Sequence, residues 1–238
     1  MLWKRCAGAS VRMAKRGFDL LFSVLGIIVL TPLFLMLALA VGVTEGFPIL
    51  FRQQRVGQGG KLFTIYKFRS MVAGAEAAGL SVSQNADPRI TRIGRFMRKN
   101  KLDELPQLWN VLAGDMSLVG PRPEVPRYVE MYTQEQRRVL ALKPGITDLA
   151  SLQFRHEEEL LSTAGEGGRR TVDGGRYRSE VERFYVEYCV PRKIELSLAY
   201  AAGANLWEDT KIILRTFFPR LHFRDRGESG SKPPVSFH

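Results

Sequence analysis

From Phe18 to Val43 the chain reads "FDLLFSVLGIIVLTPLFLMLALAVGV", apolar throughout apart from Asp19 near its start. About 25 apolar residues suffice to cross a hydrocarbon core as a helix, and the lack of a polar face argues against a surface helix of a soluble domain. The run is too long for the core of a signal peptide and no small-residue cleavage site closes it. Thr31-Pro32 stands in its middle. Proline removes a backbone donor and kinks a helix, and a neighbouring hydroxyl can serve the freed carbonyls. Lys4, Arg5, Arg12, Lys15 and Arg16 precede the run, and Arg52, Arg55, Lys61, Lys67 and Arg69 follow it. The positive-inside rule draws both flanks to the cytoplasm. On residues alone two placements stay open: a kinked single span, or a hairpin that enters and leaves through one leaflet.

Past the apolar run the pattern changes. "PILFRQQRVGQGGKLFTIYKFRSM" has strand-like runs on either side of Gly57-Gln58-Gly59-Gly60, which predicts a β-hairpin. A phosphate loop is excluded because GxxxxGK[ST] is absent and Leu62 stands where a hydroxyl is needed. Residues 73–87 read as a loop or short helix. "RITRIGRFMRKNK" then places Ile90, Ile93 and Met97 on one helical face, with Arg92, Arg95, Arg98 and Lys99 around the other, a face that is either solvated or laid on anionic headgroups. Leu105, Leu108, Trp109 and Leu112 predict a further helix ended by Gly114. Near the C-terminus "NLWEDTKIILRTFFPRL" sets Leu206, Ile213, Phe217 and Trp207, Leu214, Phe218 on adjoining faces, with Lys211 and Arg215 between them, a pattern that suits core packing, a helix lying at a membrane interface, or both, with the interface favoured beside an apolar run. The tail 220–238 is rich in Gly, Ser and Pro and reads as disordered.

Composition adds constraints. A hydrophobic share of 45% with 25% charged residues belongs to a folded protein, and the formal charge of +11 calls for an anionic partner such as phosphorylated substrates, membrane or nucleic acid. Cys6 and Cys189 form no CxxC, and His156, His222 and His238 show no metal spacing.

The chemistry concentrates in "KNKLDELPQLWNVLAGDMSLVGPRPE", Lys99 to Glu124, where Asp103 and Glu104 stand together behind Arg98, Lys99 and Lys101. One reading is purely structural: Asp103 caps a helix and Glu104 offsets its dipole. The other notes the proline-fixed Arg122 nearby and suits a phosphate-bearing ligand, with two acids to hold Mg²⁺ or one to attack phosphorus while the other holds the metal.

Taken together, Lys-Arg-x-Phe-Asp, the apolar run broken at a hydroxyl-Pro pair, "YKFRSM", "LDELPQLWNVLAGDMSLVGPRPE" and "KPGIT" resemble the bacterial sugar transferases, or monotopic phosphoglycosyl transferases, up to about Phe218. The resemblance implies transfer of a sugar-1-phosphate from a nucleotide diphosphate sugar, typically a UDP-sugar, to polyprenol phosphate. It implies release of UMP and a location on the cytoplasmic face of the bacterial inner membrane. Asp103 then matches the nucleophile that forms a phosphosugar intermediate, and Glu104 the partner that helps bind Mg²⁺. Lys67, Arg98, Arg122 with its flanking Pro121 and Pro123, and Arg155 match basic phosphate- and nucleotide-contacting positions. Thr31-Pro32 matches the point where a re-entrant helix turns back.

The expected fold is therefore α+β, mainly helical with a short β-hairpin, in a monotopic membrane protein. It divides into a basic arm 1–16, a re-entrant helix 17–45, a cytoplasmic catalytic domain 46–219 and the tail, and it reads as a minimal catalytic unit. The chain departs from the resemblance at "GITDLASLQFRHEEE", where Asp148 and His156 are expected to be solvent-exposed. It departs again in the glycine-rich stretch 162–179, read as a mobile insertion, and at Ser197, where many relatives carry aspartate. Two rivals are a glycosyltransferase that moves the bare sugar and releases UDP, and a membrane-tethered nucleic-acid binder. No helix-turn-helix, RNP or KH pattern supports the latter, so no nucleic acid is expected among the partners. Oligomeric state is left open.

Overall fold

A computed structural model describes residues 9–75, 87–155, 157–165 and 179–218. The expectations for Cys6, His156, His222, His238, residues 166–178 and the tail 220–238 lie outside the described residues. Helix α1 (Ala9–Glu45) precedes the strands β1 (Leu50–Val56) and β2 (Leu62–Phe68). Then come α2 (Arg92–Lys99), a 3-10 turn (Leu102–Gln107), α3 (Leu108–Ala113), β3 (Ser117–Val119) and α4 (Pro126–Glu130). A second 3-10 turn (Gln136–Ala141), β4 (Gly145–Thr147), α5 (Leu149–Gln153) and α6 (Glu157–Gly165) follow. After α7 (Glu180–Phe184), a π-turn (Tyr185–Cys189) leads into α8 (Val190–Gly203) and then α9 (Leu206–Phe217). The fold is mostly helical with a short antiparallel sheet, in keeping with the pattern.

Over Val11–Glu45, α1 is long and apolar enough to cross a membrane. Its described residues start at Ala9, so residues 9–16 are helical. The chain stays helical through Pro32, while the Thr31 hydroxyl donates to the Ile27 carbonyl at 2.7 Å. One stripe of α1 rests on the rest of the protein along its length. Near the start, Lys15 pairs with Asp209 at 2.5 Å, and Arg16 donates to the Val111 and Leu112 carbonyls at 2.6 and 3.0 Å. One turn later Asp19 accepts from the Ser117 hydroxyl and the Leu118 amide. Leu30, Leu33, Phe34, Leu37 and Val41 then pack with Phe68, Met97, Leu102 and Leu105. At the far end Arg69 donates to the Glu45 and Gly46 carbonyls. The opposite stripe, which includes Leu21, Leu25, Ile28, Leu35 and Leu39, is exposed.

The hairpin forms as the alternation predicts, antiparallel from Leu50↔Phe68 to Val56↔Leu62, with Gly59 and Gly60 at positive φ in its turn. Ile65 points to a small core with Val111 and Met116, and Phe68 points to α1. The larger core gathers Tyr128, Val129, Val139, Leu161, Tyr185 and Ile194. Cys189 is buried there, and burial pushes its thiol up to about 12, so it stays protonated.

Four expectations need correction. Ile90 lies ahead of α2, bridged to Met71, because Thr91 caps the helix by accepting from the Gly94 amide. Trp109 is exposed, since α3 begins only at Leu108 and turns its indole outward. Asp148 is buried, not solvated, as the cap of α5. Lys211 is buried beside Glu208, 2.6 Å away, so of the two cations expected between the apolar faces only Arg215 is part-exposed, while Trp207, Phe217 and Phe218 are exposed.

Strands β3 and β4 run parallel and carry the proline turn that follows Gly120. A methyl group on Gly120 would meet the Lys143 carbonyl at 2.3 Å, and one on Gly145 would meet the Gly120 amide nitrogen at 2.1 Å. Both contacts are backbone and cannot yield cheaply. Gly145→Ala should therefore destabilise the fold by about 1–3 kcal/mol, the usual cost of overpacking, read as a lower urea midpoint in detergent micelles.

Candidate active site

Asp103 and Glu104 occupy the 3-10 turn, both buried. The turn is entered through Lys101, whose φ of 57° is the one positive value at a non-glycine among the described residues. It is pinned to α1 by Leu102 and Leu105 on either side of the acids. Asp103 does not cap a helix: Lys101 precedes the turn and makes no side-chain cap, so the purely structural reading of Asp103 fails.

The two acids are treated differently. Glu104 Oε1 takes the Lys67 ammonium at 2.9 Å and the Arg122 guanidinium, while Oε2 takes a second Arg122 bond at 3.2 Å. Burial works to raise Glu104, but Arg122 and Lys67 outweigh it and hold the carboxyl well below the usual range. The same Glu104 charge raises Arg122 still further. Lys67 is lowered by burial, against the pull of Glu104. Asp103 accepts no hydrogen bond among the described residues. Burial first, and the Glu104 charge second, raise it above an ordinary aspartate, with Lys67, Arg98 and Lys101 pulling back. One acid is locked and the other is free.

Lys67 reaches the site because the residues at 65 and 67 share a strand face. Arg122 projects from the Pro121-Pro123 turn, whose prolines fix the backbone on both sides of it. Not all of the basic candidates gather here. Arg98 pairs with Glu158, and Arg155 donates to the Arg215 and Thr216 carbonyls at 3.0 and 3.4 Å. Arg98 still lies close enough to Asp103 for its charge to be felt there, while the bonds of Arg155 run to the end of α9.

Arg55, Lys67, Gln107, Arg122 and Pro123 line a small cationic pocket. Arg122 also borders a second cleft, whose lining includes Asp148, Ser151, Lys193 and Ser197. Ser197 is buried and donates to the Lys193 carbonyl at 2.8 Å. Sequence reasoning had counted Arg55 only as a flanking charge. The hairpin register held the missing signal: Arg55 opposes Phe63, which puts it on the same face as Ile65 and Lys67. Glu124 and Tyr185 carried no such signal, because their meeting depends on helix packing far along the chain.

The Lys67–Glu104 pair is buried, whereas Arg122 is a third exposed. Breaking a buried pair strands the remaining charge. Glu104→Gln should thus cost about 3 kcal/mol of stability, and Arg122→Ala about 1 kcal/mol because solvent screens it. Denaturant titration of both variants in micelles checks the order.

The sequence profile of the bacterial sugar transferases matches residues 10–222. A UDP-N-acetylgalactosamine-undecaprenyl-phosphate N-acetylgalactosaminephosphotransferase of Aeromonas hydrophila is 35% identical over 85% of this chain and 42% of its own length. A UDP-glucose:undecaprenyl-phosphate glucose-1-phosphate transferase of Caulobacter vibrioides is 36% identical over 87% of this chain and 69% of its own. An undecaprenyl-phosphate galactose phosphotransferase of Salmonella typhimurium is 43% identical over 63% of this chain and 35% of its own. Thus the chain spans about two fifths of some curated relatives and about two thirds of others. With a profile match across nearly all the described residues, the chain belongs to the bacterial sugar transferase family.

Proposed function

We propose that the protein transfers a sugar-1-phosphate from a nucleotide diphosphate sugar, a UDP-sugar by the names of two relatives, to undecaprenyl phosphate. The observation that carries this reading is the free, buried carboxylate of Asp103 beside a Glu104 locked by Lys67 and Arg122. In the first step an Asp103 oxygen attacks the sugar-bearing phosphorus, and the bond to the bridging oxygen of the diphosphate breaks. UMP leaves with that electron pair, and an acyl phosphate joins Asp103 to the sugar phosphate. In the second step an oxygen of the lipid phosphate attacks the same phosphorus and the Asp103 carboxylate is released. Both steps bring anion to anion. Lys67 and Arg122, already held in place, offset the charge on the phosphoryl group without moving.

Mg²⁺ fits this site together with the donor, since it binds through one or two carboxylates plus substrate phosphates. Glu104 Oε2, which accepts one long bond, is the group that would hold it. When bound, the ion would neutralise charge on the diphosphate and on the leaving UMP. Among the described residues no cluster of three His, Cys, Asp or Glu side chains exists to hold a metal without substrate.

The placement of α1 supports a re-entrant topology, and the basic residues on both of its flanks favour the cytoplasmic face of the inner membrane. This 37-residue helix rests on the same body at Arg16 and at Glu45, which supports placing both of its ends on one side of the bilayer. The product serves the first membrane step of a surface glycan. Transfer of the bare sugar would release UDP instead, and nothing in the site requires nucleic acid.

Asp103→Asn is isosteric and breaks no hydrogen bond, so it should fold normally and lose turnover by several orders of magnitude. With donor labelled in the sugar-1-phosphate and no lipid present, the wild-type protein should gain acid-labile label at Asp103 and release about one equivalent of UMP. UDP as the nucleotide product, or near-normal rates for Asp103→Asn, would sink the reading. Chelation should stop turnover and Mg²⁺ should restore it. For topology, single cysteines at Ser10 and Ser70, in a chain lacking Cys6 and Cys189, should both resist an impermeant thiol reagent in intact cells.

A further inference from the structure

Arg122 belongs to no helix or strand. Its position depends on the turn that carries it, and the two residues after it are gripped from two directions. From the hairpin, Arg55 donates to the Pro123 carbonyl at 3.0 Å, and the Val56 amide donates to the Glu124 carbonyl at 2.9 Å. From the π-turn, the Tyr185 hydroxyl donates to Glu124 Oε1, while Arg55 stands 3.9 Å from Glu124 Oε2. Glu124 and Tyr185 are both buried. The Tyr185 ring lies under the Lys193 ammonium, 4.8 Å from its centroid, and Lys193 is paired with Glu157 at 2.5 Å.

Stability alone does not call for this arrangement. A buried acid held by one phenol and a distant guanidinium is matched or bettered by apolar side chains of similar volume. A single-turn π-bulge inserts a residue into a helix and recurs at functional sites. Here it begins at Tyr185, the residue whose hydroxyl reaches Glu124. Burial and the Glu124 charge raise the Tyr185 phenol well above its ordinary value, so it remains a donor at every physiological pH.

We propose that Tyr185 and Glu124 are positioning residues for Arg122, which fix the guanidinium against Glu104 and hold it ready for the donor's diphosphate. This rests on the phosphoryl-transfer reading, but it can be tested by binding as well as by turnover. Misplacing a positioned group by about 1 Å costs up to a hundredfold in rate. Tyr185→Phe should therefore lower kcat/KM for the nucleotide sugar roughly ten- to a hundredfold, and weaken inorganic pyrophosphate binding measured by calorimetry. Glu124→Ala should do the same, while Glu124→Gln, which keeps an acceptor for Tyr185, should recover most of the loss. All assays are run well below each variant's Tm.

The deciding arm is a double-mutant cycle with Arg122→Lys. If Tyr185 acts through Arg122, Tyr185→Phe should lose most of its effect on pyrophosphate affinity in that background. Equal effects in both backgrounds would overturn the proposal, as would a Tyr185→Phe protein with unchanged pyrophosphate affinity and kcat/KM. A wild-type protein that binds pyrophosphate but never releases UMP would overturn the functional reading, and the cycle on binding would still decide the positioning role.

Discussion

Three segments of the chain are tied together at their charged side chains by one carboxylate. Glu104 draws Lys67 from the hairpin and Arg122 from the proline turn onto the 3-10 turn that also carries Asp103. Pulling three charges out of water costs several kcal/mol per ion, and their attraction offsets this only if the geometry is good. That condition explains much of the surrounding architecture. The glycine pair at 120 and 145 lets β3 and β4 approach, the strand alternation aims Lys67 inward, and Leu102 and Leu105 fix the turn on α1. The cations are held in place by the fold itself, so little reorganisation would remain for the proposed reaction.

The same carboxylate divides labour between neighbours. Because Glu104 absorbs the nearest cations, Asp103 is left buried but unbonded. A carboxylate that surrendered its lone pairs to Arg122 would be a poor nucleophile. Adjacent acids with opposite environments can thus serve opposite roles, and the difference arises from partners contributed by segments 37 and 18 residues away from Glu104.

Local signals made some of this legible in the sequence. The hairpin announced itself through alternation around a glycine turn, the apolar helix through its length, and the dyad through its company of cations and prolines. What stayed hidden depended on long-range packing. Asp148 looked like a loop acid, yet it is buried as a cap once α5 packs on α8. Trp109 fitted an apolar stripe, but that stripe assumed the helix began before Leu108. The partners of Arg98 and Arg155, a glutamate and two helix-end carbonyls, could not be read from the sequence either. Pattern fixes which face of an element is apolar. It does not say which distant partner a charged side chain will meet.

The polar contacts at the start of α1 bear on how the molecule can be divided. Lys15 serves Asp209, Arg16 closes the carbonyl end of α3, and Asp19 holds the strand β3 beneath the proline turn. None of these bonds concerns lipid. Exchanging α1 for an unrelated hydrophobic anchor would keep the protein at the bilayer yet strip a buried aspartate of its counter-ion and orphan two backbone carbonyls. The apolar helix and the cationic site are thus one cooperative unit, and a version of the protein without α1 would have to rebuild its own floor.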